Sequence, residues 1–170
     1  WDCIAEQRGY QWVAEALEEF RPQWVILETV SCTFNADMEV AELAKRYGAK
    51  VLVISPHGKA LHEEVLRRYP WLDSVLEYGG KGQEEPEYAI RAICTGVVRQ
   101  PSETFESLPP ARQDLLPLSR YNLPLIGRGY TFVITARGCP WACIYCRQTV
   151  TWESKVRYRP TAVILEEISV

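Results

Sequence analysis

Short apolar runs alternate with amphipathic stretches over the first hundred residues of the chain. Three runs contain β-branched residues and are typical of buried strands, at 24–27, 51–54 and 74–78. Apolar residues recur at helical spacing around them, over 13–20, 38–44, 61–69 and 86–93. Gly48 and Gly96 are placed to end two of these helices, and Asn35 or Asp37 is expected to cap the second helix. The pattern also predicts a short strand over 1–5. This alternation predicts an α/β fold with a Rossmann-like parallel sheet, buried on both faces by flanking helices.

Polar loops follow the predicted strands. The carboxyl ends of parallel strands lie at one edge of a sheet, and ligands of such sheets bind there. The candidate binding residues in these loops are Glu28, Thr29, Ser31, Ser55, His57 and Gly58. A third loop at 78–82 is rich in glycine but lacks a phosphate-binding pattern. A loop histidine such as His57 is also compatible with a purely structural role, and both interpretations stay open.

Prolines interrupt the alternating pattern of strands and helices after residue 99. They predict an extended linker over 100–124, after which a strand over 130–135 is expected to lead into a cysteine-rich loop. The predicted organisation is therefore an α/β domain over 1–99, the linker, and a second domain beginning in 125–170.

Three cysteines in that loop carry the clearest chemical signal. Cys139, Cys143 and Cys146 have the spacing C-x3-C-x2-C, and thiolates are soft ligands suited to iron–sulfur clusters or zinc. Three ligands leave one iron of a four-iron cluster open, whereas a fourth ligand would complete a structural zinc site. We expect the three sulfur atoms to converge on one pocket even without metal.

Composition narrows the choice of partners. The chain has 170 residues, a net charge of −3 and 47% hydrophobic residues. This charge gives no reason to expect a nucleic-acid partner, and no apolar run approaches the length of a membrane span. Six cysteines with one clustered triplet argue for an intracellular metal site rather than a disulfide scaffold, and hence for a cytoplasmic location. Because residue 1 is Trp, we expect the chain to be a fragment.

The stretch from Ile134 to Cys146, ITARGCPWACIYC, resembles the cluster loop of radical S-adenosylmethionine (SAM) enzymes. The run from Tyr158 to Ile168 is similar to the first helix of their partial TIM barrel, so that 125–170 would supply the first β/α unit. The resemblance implies a 4Fe–4S cluster on the three cysteines, SAM at the open iron, and Tyr145 near the SAM adenine. It implies an enzyme that cleaves SAM to methionine and a 5′-deoxyadenosyl radical, using an electron donor such as ferredoxin or flavodoxin.

Residues 3–97 resemble the cobalamin-binding domain that precedes the barrel in one large radical SAM class. The similar stretches are 22–29, 37–48 and 51–66. The resemblance implies cobalamin as a further cofactor at the sheet-edge loops, although the D-x-H-x-x-G signature that supplies an axial histidine is absent. It implies methyl transfer or oxidative cyclisation of a small-molecule or lipid-like substrate. Because only one barrel unit follows, we expect the 170-residue chain alone to be inactive.

Two alternatives remain. A tRNA methylthiotransferase-like radical SAM protein also places an α/β domain before such a loop, but it carries further cluster cysteines at strand ends. The corresponding ends here read Glu-Thr-Val-Ser-Cys32 and Ile-Ser-Pro-His57. The other alternative is a non-enzymatic zinc or iron–sulfur binding module.

Overall fold

The structure is a computed structural model that describes residues 1–55, 59–77, 85–97, 104–146 and 155–169. The described residues fall into two compact units. One contains residues 10–97, and the other contains residues 1–9, 104–146 and 155–169. The predicted boundaries at 99 and 124 stay a prediction.

A parallel three-stranded sheet with the order β1-β2-β3 is the centre of the first unit. Its strands are β1 (Trp24–Glu28), β2 (Lys50–Ser55) and β3 (Ser74–Glu77). The accompanying helices are α1 (Tyr10–Phe20), α2 (Phe34–Arg46), α3 (Lys59–Arg68) and α4 (Pro86–Thr95). This arrangement confirms the predicted α/β class with a Rossmann-like parallel sheet and flanking helices.

The burial of the strands follows their position in the sheet. The central strand β2 contains Val51, Leu52 and Val53, all at 0% exposure, which explains its continuous apolar run. Among the described residues strand β1 pairs with β2 alone, and its Ile26 is 43% exposed. The prediction that every strand is buried on both faces is therefore wrong for β1.

Helix α2 begins and ends for local reasons. The residue before it is Thr33, whose hydroxyl donates to the Asp37 carboxylate at 2.6 Å, so the expected cap at Asn35 or Asp37 is wrong. Gly48 has a φ of +83°, which an L side chain rarely adopts, and its N–H donates to the Lys45 carbonyl at 2.9 Å. Gly48 thus ends the helix as predicted. The buried face carries Met38, Ala41 and Ala44.

One carboxylate connects helix α2 to the sheet. An oxygen of Asp73 accepts hydrogen bonds from Lys45 Nζ at 2.8 Å and from the Val51 N–H at 2.7 Å. Burial raises the pKa of Asp73, but these two hydrogen bonds outweigh it and the pKa is lowered. The ionised Asp73 therefore fixes the start of β2 beside the turn that precedes β3.

The second unit is built from short elements. Three 3₁₀ turns span Phe105–Ser107, Gln113–Leu115 and Leu118–Arg120. Two antiparallel pairs follow, β4 (Asn122–Leu123) with β5 (Gly127–Arg128), and β6 (Ala136–Arg137) with β7 (Arg157–Tyr158). Helix α5 spans Thr161–Ile168. The expected extended conformation is not found over 104–124, because the segment folds into successive turns between its prolines. The assignment of 100–124 as a linker stays a prediction.

Two predicted strands are absent from the described residues of this unit. Residues 3–7 form turns, and the Asp2 carboxylate accepts a hydrogen bond from the Ala5 N–H at 2.9 Å, a local bond that competes with strand pairing. The strand expected over 130–135 is also not formed. There, the Ile134 and Thr135 carbonyls accept hydrogen bonds from Arg159, from Nη1 at 3.0 Å and from the backbone N–H at 2.9 Å. Arg159 thus satisfies two carbonyls that a neighbouring strand would otherwise have paired with.

Across the described ranges, every helix is too short or too polar to cross a lipid bilayer.

Candidate metal centre and sheet-edge site

A two-residue ladder closes the base of the cysteine loop. In the β6–β7 pair, Ala136 lies opposite Tyr158 and Arg137 lies opposite Arg157. The next residue, Gly138, has a φ of +98° and turns the chain out of the strand, a conformation that strains other residues. Cys139 follows at once. The ladder and this glycine therefore determine where the cysteine loop begins.

The other two cysteines lie at the ends of one turn. The Cys146 N–H donates to the Cys143 carbonyl at 3.0 Å, and a turn of this kind holds its end Cα atoms within about 7 Å. All three loop cysteines are half-buried, and none of the chain's six cysteines forms a disulfide. The Tyr145 side chain is 88% exposed. No disulfide therefore removes these thiols from metal binding, and the Tyr145 ring is open to a bound molecule.

The expected convergence of the three sulfur atoms is not found. Among the described residues, which include all three cysteines, no three Cys, His, Asp or Glu side chains are grouped as a metal site. Ligand loops commonly close only when metal binds, because the ligand geometry is rarely formed in advance and metal binding is coupled to folding of the loop. The donor set itself, three thiols with C-x3-C-x2-C spacing, fits a 4Fe–4S cluster. Cys139, Cys143 and Cys146 would then be its protein ligands.

A buried ion pair lies behind the loop. Arg159 Nη2 and Glu167 Oε2 are 2.7 Å apart, and their side chains are 5% and 2% exposed. The same guanidinium donates to the carbonyls of Ile134 at 3.0 Å and Pro109 at 3.3 Å. Sequence reasoning missed this pair, because Glu167 follows the exposed Glu166 in the same helix and nothing local distinguishes them.

The carboxylate of Glu167 is satisfied on both oxygens. Oε2 also accepts a hydrogen bond from the Ala111 N–H at 3.1 Å, and Oε1 accepts one from Gln113 Nε2 at 3.3 Å. Burial raises the pKa of Glu167, but the Arg159 guanidinium and these amide donors outweigh it and the net pKa is lowered. The ionised carboxylate thus joins residues 109–113 to helix α5 and, through Arg159, to the approach of the cysteine loop.

An aromatic ring supports the ladder itself. Phe105 is 1% exposed, and its ring centroid lies 4.7 Å from the Arg137 guanidinium and 5.6 Å from that of Arg157. Sequence reasoning missed Phe105. The available signal was that it is the one phenylalanine in the proline-rich segment 100–124.

The strand ends of the first unit share one edge, as predicted. The Thr29 N–H donates to the Ile54 carbonyl at 2.9 Å, and Ser55 pairs with Glu77 in the β2–β3 register. The parallel pairing therefore places the carboxyl ends of all three strands together. The loop residues predicted at 56–58 and 78–82 lie outside the described residues.

The candidate ligand residues at this edge differ in accessibility. Glu28 and Ser31 are exposed. Thr29 is at 0% exposure, and its hydroxyl donates to the Ile54 carbonyl at 3.4 Å. Ser55 is also buried. His57 and Gly58 lie outside the described residues. Of the four described candidates, two are therefore open to a ligand and two are internal.

A groove of about 330 Å³ lies beside Ser31, between the start of α2 and the second half of α3. The residues that line it are Ser31, Phe34, Asn35, Glu64, Val65, Arg68 and Tyr69. The Phe34 and Tyr69 rings meet edge to face at 5.9 Å. Ser31 is thus the described candidate that borders a cavity.

The chain is similar along its whole length to two known proteins. It is 26% identical, over 192 aligned positions, to a Pyrococcus horikoshii protein described as an uncharacterized methyltransferase. It is 21% identical, over 194 positions, to the anaerobic magnesium-protoporphyrin IX monomethyl ester cyclase of Rubrivivax gelatinosus. Each alignment covers 99% of this chain.

The chain spans 41% of the length of the first relative and 34% of the second. No family model matches the chain. No solved structure matches it either. What is established is an α/β unit with a parallel sheet, joined in sequence to a three-cysteine loop, and a distant similarity to two proteins named as enzymes.

Proposed function

We propose that the chain is part of a radical SAM enzyme and binds a 4Fe–4S cluster through Cys139, Cys143 and Cys146. The observation that carries the proposal is the three-cysteine loop, whose donor set leaves one iron of such a cluster without a protein ligand. When bound, the cluster supplies the electron that cleaves SAM to methionine and a 5′-deoxyadenosyl radical.

The protein's part in this chemistry is to position the ligands and the cosubstrate. The β6–β7 ladder and Gly138 determine where Cys139 begins the loop. The turn between Cys143 and Cys146 brings the backbones of the other two ligands close together. Tyr145, between these ligands and largely exposed, offers a ring face on which the SAM adenine can stack.

Replacing Tyr145 by leucine should weaken SAM binding about tenfold, because stacking of a base on an aromatic ring contributes that much. The measurement is equilibrium binding of SAM to the anaerobically reconstituted chain, with the electron paramagnetic resonance (EPR) spectrum of the reduced cluster as a second readout. Trp141→Leu is the matched control, since Trp141 is also exposed, at 72%, in the same loop. A wild-type cluster whose spectrum does not respond to SAM would count against the proposed function.

We propose that the whole protein transfers a methyl group or closes a ring on a small-molecule or lipid-like substrate, with an electron donor such as ferredoxin or flavodoxin. The names of the two relatives, a methyltransferase and a cyclase, support these two reactions. Stoichiometric zinc without sulfide in the purified protein would instead favour a structural zinc module.

We also propose that the first unit binds cobalamin at the carboxyl edge of its sheet. The shared edge of the three strands supports this. A corrin would contact the exposed Glu28 and Ser31. The internal hydrogen bond from Thr29 to the Ile54 carbonyl holds the ends of β1 and β2 together. His57 and Gly58 belong to the same proposal.

Titration with hydroxocobalamin should therefore give saturable binding, with an absorbance change of the corrin. Ser31→Trp, which fills the groove beside the edge, should weaken that binding, whereas the same change at the exposed Asn122 of the second unit should not. Equal affinity for both variants would contradict a corrin site at this edge.

A further inference from the structure

We propose that Phe105 is a positioning residue for Cys139, and that the proline-rich segment acts through it as a clamp on the cysteine loop. Phe105 is the largest fully buried side chain among the described residues. It nevertheless belongs to an irregular segment of successive turns rather than to a helix or strand of the core.

The contacts of Phe105 are with the two residues that close the loop. Arg137 and Arg157 are partners in the β6–β7 register, and like charges directly opposite each other on neighbouring strands repel. The face of an aromatic ring attracts guanidinium groups, and the Phe105 ring lies within 6 Å of both, at 4.7 and 5.6 Å. The ring therefore bridges two like-charged side chains that face each other across the ladder.

The turn that presents Phe105 is itself closed by hydrogen bonds. The Thr104 N–H donates to the Ser107 hydroxyl at 2.8 Å, and the Ser107 N–H donates to the Thr104 carbonyl at 3.0 Å. Burial raises the pKa of the adjacent Glu106, but hydrogen bonds and the positive charges of Arg157 and Lys155 outweigh it and the pKa is lowered. The segment thus brings both a ring and a negative charge to the base of the loop.

The consequence concerns the first cysteine. Arg137, whose guanidinium is fixed against Phe105, is separated from Cys139 by Gly138 alone. Gly138 has no side chain, and its φ of +98° sets the direction in which the backbone continues to Cys139. Greater mobility of Arg137 should therefore increase the mobility of Cys139. The inference rests on the proposed function only in taking Cys139 as a cluster ligand.

The test compares Phe105→Leu with Phe132→Leu. Both replace a phenylalanine of the second unit by leucine, but Phe132 is 74% exposed. In the metal-free chain, Phe105→Leu should speed amide hydrogen exchange at residues 136–139 about tenfold, as expected for the loss of guanidinium contacts to a ring. Exchange in β1 to β3 should be unchanged. Phe105→Tyr, which keeps a ring face, should restore slow exchange.

A second readout tests positioning rather than stability. After anaerobic reconstitution, Phe105→Leu should release iron to a chelator several-fold faster than the wild type, and the EPR spectrum of its reduced cluster should shift. Phe132→Leu should change neither. If both leucine variants match the wild type in exchange and in iron release, the clamp is refuted. If exchange at 136–139 rises in Phe105→Leu but the wild type assembles no cluster, the clamp stands and the proposed function fails.

Discussion

Cys143→Ala should lose most of the iron that the wild-type chain retains after anaerobic reconstitution, falling from about four irons per chain to below about one. Thiolate ligation dominates the binding of such a cluster, and Cys143 is one of only three thiols in the loop. Cys143 also shares a turn with Cys146, so its loss leaves a single thiol of that turn to hold the cluster. The measurement is colorimetric iron and sulfide per chain, together with the visible absorbance of the cluster.

Cys32→Ala is the matched control for this prediction. Cys32 is exposed in the loop after β1 and lies in the other compact unit. The variant should retain the full iron content. Loss of iron in Cys32→Ala would indicate a fourth protein ligand and would contradict an open iron. Full iron retention in Cys143→Ala would remove the cysteine loop as the cluster site.

Glu167→Ala should lower the free energy of unfolding of the second unit by about 3–5 kcal/mol, because it leaves the buried Arg159 guanidinium without a counter-charge. The change also removes the acceptor of the Ala111 N–H and of Gln113 Nε2. Urea denaturation of the metal-free chain measures the loss. Glu166→Ala, at the neighbouring exposed position, should change stability by less than about 0.5 kcal/mol.

The double variant Arg159→Met/Glu167→Leu separates charge from packing. Apolar side chains of similar volume often replace a buried ion pair without loss, so this variant should recover much of the stability that Glu167→Ala loses. Equal stability of Glu166→Ala and Glu167→Ala would show that the ion pair is not buried in solution.

The same carboxylate makes a prediction about pH. The pKa of Glu167 is lowered in the folded state, so its stabilising contribution is fully present above the unfolded-state pKa of about 4.3. That contribution is lost as the pH falls through the folded-state pKa. Glu167→Gln should therefore flatten the acid limb of the stability curve relative to the wild type.

Much of the first unit could be predicted from the sequence, because its signals are local. The apolar run of β2 requires cover on both faces. The spacing of Met38, Ala41 and Ala44 defines one helix face, and Gly48 adopts a φ that ends that helix. For the candidate site, the spacing of the three cysteines alone predicts the donor set.

The sequence by itself thus determined the α/β class, the order of the elements in the first unit and the identity of the candidate ligands. Only the tertiary structure decided which charged and aromatic residues are internal. In helix α5, Glu167 is buried while Leu165 and Ile168 are 58% and 62% exposed, the reverse of what hydrophobicity predicts. The reason is that the cost of burying a charge depends on its partners. Here the partners are Arg159, eight positions before Glu167, and Ala111 and Gln113, which lie more than fifty positions before it along the chain.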